Sequence, residues 1–131
     1  NYKLKMEVIE MIENICNVFV FVSDQNKAKE FWTKKIGFEV KTENKMGRDN
    51  LWLEVVPKNG NTTIALYPKS LRKDAQPSKS VITFFTNDIQ KTYEELSSKG
   101  VVFTSAPKNL GYGMFAEFCD EDENTFSLKQ V

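Results

Sequence analysis

The chain has 131 residues, 40% of them hydrophobic and 27% charged, and its 18 basic and 18 acidic side chains cancel to a formal net charge of zero. That length fits one ordinary soluble domain, and the balanced charge removes the overall electrostatic case for nucleic acid or an anionic membrane as partner. Histidine is absent, which closes imidazole metal ligation, His general-base catalysis and Ser-His or Cys-His nucleophile activation.

Residues 1–10 are set apart as a genuine extension, an alternative start or an expression remnant, because Met11 opens a stretch that reads like a natural start. The domain is therefore read on residues 11–131. No apolar stretch approaches the roughly 20 residues that span a bilayer, and the N-terminus lacks the layout of a secretion signal. The expected location is the cytoplasm. Cys16 and Cys119 lie too far apart for a Cys-x-x-Cys motif and read as two small buried hydrophobes.

Ile15 to Val22 is apolar on both faces and rich in β-branched and aromatic residues, which predicts a buried strand. Ser23 or Asp24 then caps a helix whose face is Ala28, Phe31, Trp32 and Ile36, and Gly37 closes it in a left-handed conformation. Phe38 to Thr42, Leu51 to Val56 and Thr62 to Tyr67 read as three strands separated by turn segments.

The same grammar then repeats 63 or 64 positions later. Val81 to Thr86 is a strand, Asn87 or Asp88 a cap, Ile89, Tyr93 and Leu96 a helix face, and Gly100 its stop. Val101 to Thr104, Met114 to Cys119 and Thr125 to Lys129 complete a second set of three strands. The chain is thus an α+β protein of two tandem βαβββ modules, 15–68 and 79–131. Two such curved sheets facing each other would enclose a cavity suited to a ligand.

Val22-Ser23-Asp24, Ala28, Phe31-Trp32 and Gly37-Phe38, answered by Asn87-Asp88-Ile89, Glu94-Glu95-Leu96 and Gly100-Val101, resemble the vicinal oxygen chelate superfamily. So do Gly111-Tyr112-Gly113, Phe118-Cys119-Asp120 and Phe126-Ser127-Leu128. That superfamily includes glyoxalase I, bleomycin-resistance proteins, fosfomycin-resistance enzymes and extradiol dioxygenases. The resemblance implies the glyoxalase/bleomycin-resistance-like fold and a homodimer; it carries activity far less firmly.

Its metalloenzymes place His or Glu ligands on the first and last long strands of each module. The positions that match are Asn17, Ala65, Val81 and Ser127, and none is a good ligand for Zn, Ni, Mn or Fe. Of their sequence neighbours only Cys16 coordinates strongly. No metal and no cofactor is therefore expected.

Strand alternation sends Asn17, Phe19 and Phe21 to the cavity face, with Thr63, Ala65 and Tyr67, and in the second module Val81, Thr83 and Phe85. Aromatics and the neutral hydrogen-bonders Asn17, Tyr67, Thr83 and Ser127 suit a small aromatic or amphipathic molecule. The bland alternative is that these rings simply fill a core. Trp52 and Glu54 share one strand face: buried beside aromatics, Glu54 would have a raised pKa and act as a base, whereas on a solvated face it does nothing.

Asp120 to Asn124 mimics the opening of a calcium loop, but Thr125 stands where its glycine belongs. It reads as a turn in which the family often has Asp-Pro-Asp-Gly-Asn, made looser or altered in geometry by the missing proline and glycine. Lys69 to Lys79 reads as a solvated linker, with binding of a negatively charged ligand as its functional alternative.

The preferred expectation is metal-independent binding of a small aromatic or amphipathic molecule, with Phe19, Phe21, Trp52 and Phe85 stacking and Asn17, Tyr67, Thr83 and Ser127 fixing orientation. One alternative is a glyoxalase-like lyase or isomerase with a non-standard site using Glu54 or Cys16; another is a degenerate scaffold for protein interaction.

Overall fold

The structure is a computed structural model that describes residues 11–131, so the reading of residues 1–10 lies outside it. The first module runs β1 (Asn17–Val22), α1 (Gln25–Glu30) continuing into a π-helical turn (Phe31–Ile36), β2 (Glu39–Met46), β3 (Asn50–Val56) and β4 (Thr63–Pro68). A short 3-10 turn (Lys69–Leu71) follows. The second module runs β5 (Lys79–Thr86), α2 (Ile89–Ser98), β6 (Val102–Asn109), β7 (Met114–Cys119) and β8 (Thr125–Gln130). Each module forms a four-stranded sheet, ordered β1-β4-β3-β2 and β5-β8-β7-β6, with its first and last strands parallel. Among the described residues no helix is long and apolar enough to cross a membrane.

The caps explain why the two helices start where they do. Asp24 and Asp88 are extended, and their carboxylates accept backbone N–H bonds of 3.0 Å from Asn26 and from Lys91, satisfying donors a helix start leaves unpaired. Gly37 and Gly100 end the helical segments at φ 94° and 91°, a left-handed conformation that L side chains disfavour.

One core joins the modules. Trp32, fully buried on the π-helical turn of the first module, has its ring centroid 5.0 Å from Phe126 and 6.0 Å from Phe84 of the second. Val20, Val22, Leu53, Val55, Ile64 and Leu66 line it from one sheet, and Ala116, Phe118, Phe126 and Leu128 from the other. A polar staple accompanies it. Buried Asn124 donates to the Phe21 carbonyl (3.1 Å) and accepts from the Ser78 N–H (2.7 Å), tying the last turn to β1 and to the entry of β5.

Three expectations change. The Asp120–Asn124 turn is altered and not looser: Asp120 accepts from the Asp122 and Asn124 backbone, and Glu123 holds φ 65° where a glycine would sit without strain. The segment after β4 is not simply solvated, because Lys69 pairs with Asp122 at 3.7 Å and the Arg72 guanidinium lies 5.4 Å over the Phe21 ring. Cys16 is exposed, not buried, since it precedes β1 and lies outside the sheet, while burial pushes the Cys119 thiol up.

Candidate functional site

Strand alternation in β1 divides two environments. Val20 and Val22 are buried against the helical side, whereas Asn17, Phe19 and Phe21 point to the opposite, helix-free face. Parallel pairing sets Phe19 beside Ala65 and Phe21 beside Tyr67. Ala65 is small, so the rings close over it. Phe19 lies 5.0 Å from Tyr67, 5.7 Å from Trp52 and 6.2 Å from Phe21, and Trp52 lies 6.4 Å from Tyr67. These are edge and tilted contacts of the kind aromatic pairs prefer. Phe19 nevertheless stays 39% exposed, an open aromatic surface.

Gln25 holds this face in shape. Between β3 and β4, Glu54 pairs with Ala65 and Val55 with Ile64. Further along, the Gln25 amide bridges the two strands, donating to the Leu51 and Leu66 carbonyls (2.8 and 2.7 Å) and accepting from the Leu51 N–H (2.9 Å). Trp52 is thereby positioned from the helix start.

Glu54 sits at the edge of the aromatic cluster and is 8% exposed, so the solvated reading fails. The raised-pKa reading fails as well. Burial pushes the carboxyl up, but hydrogen bonds from Thr63, Thr42, Trp52 and Asn17 together outweigh it and hold it below the ordinary carboxylate value. Thr63 Oγ1 donates at 2.5 Å and Trp52 Nε1 at 3.2 Å. Donors from neighbouring strands make the difference, and sequence alternation alone does not reveal them.

The second sheet repeats the device with a residue that sequence reasoning missed. Glu117 on β7 accepts from Ser80 and Thr104, which with a smaller Coulombic contribution from Lys79 lower its pKa. With its proton on Glu117, the Ser80 hydroxyl can accept from Thr125 Oγ1, 3.0 Å away. The matching residue to Asn17 on this carboxylate is thus Ser80, not Val81. A register shift in β5 between Lys79 and Thr83 turns Ser80 to φ 59° and leaves Val81 77% exposed. A signal was available: Glu54 and Glu117, like Trp52 and Phe115, are 63 residues apart.

The structure brings together Asn17, Phe19, Phe21, Trp52, Glu54 and Tyr67 on the first sheet. Thr83 pairs with Ser127 on the second, and Phe85 there is 72% exposed. Among the described residues no ring of the first cluster contacts Phe85 or Phe115. The two aromatic faces therefore do not touch within one protomer, and the modules meet through Trp32, which packs on Phe84 and Phe126.

The donor set does not fit a transition ion. Asn17, Ala65 and Ser127 lack strong ligand chemistry, Val81 has none, and the described residues contain no cluster of three or more His, Cys, Asp or Glu arranged for a metal. Cys16, exposed, only accepts a weak 3.7 Å contact from the Asn17 amide.

Residues 14–128 match the family model of the Glyoxalase/Bleomycin resistance protein/Dioxygenase superfamily. The uncharacterized protein YetH of Bacillus subtilis (strain 168) is 43% identical over 92% of this chain and 100% of its own length. A solved member of the superfamily from Sphaerobacter thermophilus DSM 20745 superposes with a TM-score of 0.86 at 30% identity, covering 93% of this chain and 100% of that one. TnmS3, an antibiotic binding protein from Streptomyces sp. CB03234, superposes with a TM-score of 0.77 at 29% identity, over 93% and 98% of the two chains.

Proposed function

The chain belongs to the Glyoxalase/Bleomycin resistance protein/Dioxygenase superfamily, and on that premise we propose that it binds a small aromatic or amphipathic molecule without a metal. The observation that carries this reading is the open cluster of Phe19, Phe21, Trp52 and Tyr67, on the strand face to which the family resemblance assigns the metal-ligand positions. Stacking and burial supply the affinity, and Asn17, Thr83 and Ser127 orient the ligand. That TnmS3 binds an antibiotic supports the reading.

Each protomer offers two half-clefts. In the proposed cytoplasmic homodimer the first-module face of one copy meets the second-module face of the other, adding Phe85, Thr83 and Ser127 to the aromatic wall. The 72% and 77% exposure of Phe85 and Val81 supports it, since apolar side chains left in water on one strand face favour a partner surface. The lyase alternative is weakened at its base, because a carboxylate held ionised by four neutral donors is a poor proton acceptor near neutral pH.

The experiment is a titration with a planar aromatic probe after exhaustive chelation, followed by the Trp52 indole resonance. Saturable binding, unchanged when Zn, Ni or Mn is restored, is the expected result. Binding that requires a divalent metal overturns the reading.

A further inference from the structure

Glu54 and Glu117 hold the same place in the two sheets, and the chain answers their charges differently. Glu54 pairs across the strands with Ala65 and Glu117 with Ser127. Two residues further along each strand stand Trp52 and Tyr67 in the first module, Phe115 and Lys129 in the second. Lys129 sets its Nζ 5.5 Å over the Phe115 ring, and Lys79 adds attraction at Glu117. Tyr67 thus replaces an ammonium. None of the four ion pairs among the described residues includes Glu54, and all four of its hydrogen-bond donors are neutral.

Glu54 thus keeps its negative charge by neutral hydrogen bonds, and among the described residues no cation neutralises it. The three rings beside it, Phe19, Trp52 and Tyr67, contact one another in a triangle, and ring faces carry negative quadrupole potential. Carboxylate and rings therefore both attract a cation and both oppose an anion. The fourth ring already shows the preference, since Phe21 accepts the Arg72 guanidinium at 5.4 Å.

We propose that the ligand of this face is a protonated or quaternary organic amine, with its cation seated on the Phe19–Trp52–Tyr67 triangle beside Glu54. The inference rests on the binding reading above and adds the ligand's charge. A single positive centre attached to an apolar or aromatic body matches one carboxylate flanked by rings.

The test compares phenyltrimethylammonium with its neutral isostere tert-butylbenzene and with benzenesulfonate, each followed by the indole N–H of Trp52 in the whole protein. The buried Trp32 indole is the internal reference. The expected result is binding of the cation about 10-fold or more tighter than the neutral probe, with the sulfonate weakest. In Glu54→Gln the preference falls below about threefold. Equal binding of cation and isostere at Trp52, or a preference unchanged in Glu54→Gln, overturns the cation proposal and leaves the binding reading standing. If no probe at millimolar concentration moves Trp52, both readings fall. Should Glu54→Gln fail to fold, the ratio in the unsubstituted protein still decides.

Discussion

Glu54 and Glu117 occupy matching positions on the third strands of two sheets, 63 residues apart, each held by hydroxyl donors from other strands of its sheet. Thr63 and Thr42 serve the first, Ser80 and Thr104 the second. The repeat has kept a carboxylate anchored in each module, while changing what stands beside it.

The Glu54 environment predicts a pH dependence with a definite sign. Its folded pKa lies below the ordinary value, so it binds fewer protons folded than unfolded near that value and contributes stability above it. That stability is lost as pH falls through the folded pKa. Urea denaturation midpoints measured from neutral to acidic pH should fall more steeply for the unsubstituted protein than for Glu54→Gln. Parallel curves would show that the hydrogen bonds to this carboxylate carry no net preference for its ionised form.

Phe19 separates binding from folding. It is 39% exposed on the open face, so Phe19→Ala should cost about 1–3 kcal/mol of stability, less than a fully buried ring, and leave the fold intact. Removing one wall of the triangle should weaken an aromatic probe about 10-fold, since ring–ring stacking is of order 1 kcal/mol and area loss adds to it. Calorimetric titration beside a melting curve checks both numbers.

Asn124 carries the opposite profile. Its side chain is 1% exposed and bonds Phe21 O, Ser78 N and Asp120 Oδ2. Asn124→Ala leaves buried backbone groups unsatisfied and should cost about 2–4 kcal/mol. The check is denaturant unfolding, where the loss should appear in one cooperative transition because the staple and the Trp32 core join the modules.

At Glu123 the turn keeps φ 65° without a glycine. The left-handed conformation costs a side chain about 1–2 kcal/mol, and a glycine's extra unfolded freedom returns about 0.5–1 kcal/mol of that. Glu123→Gly is therefore expected to raise stability by about 0.5–1 kcal/mol, measured as a higher urea midpoint.

Local signals revealed the fold. Asp24 and Asp88 as caps, Gly37 and Gly100 as stops and the alternation of β1 are each written within a few residues. Strand ends were harder: β2 runs on to Met46 through what reads as a turn, and β6 runs to Asn109 across Pro107, tolerated because β6 is an edge strand. The shared face of Asn17, Phe19 and Phe21 was legible because one strand determines it. The rest of the site was hidden where register determines it. The donors that ionise Glu54 come from β1, β2 and β4 as well as its own strand, and the shift in β5 exchanges Ser80 for Val81. No single-strand pattern encodes either.

Metal-independent binding is the central claim, and native mass spectrometry of freshly purified, metal-replete protein tests it most directly. The account predicts a species of twice the chain mass, with no stoichiometric transition metal and with any additional mass organic. One Zn, Ni, Mn or Fe per chain would contradict it and return the search to ligands among the residues of both sheets.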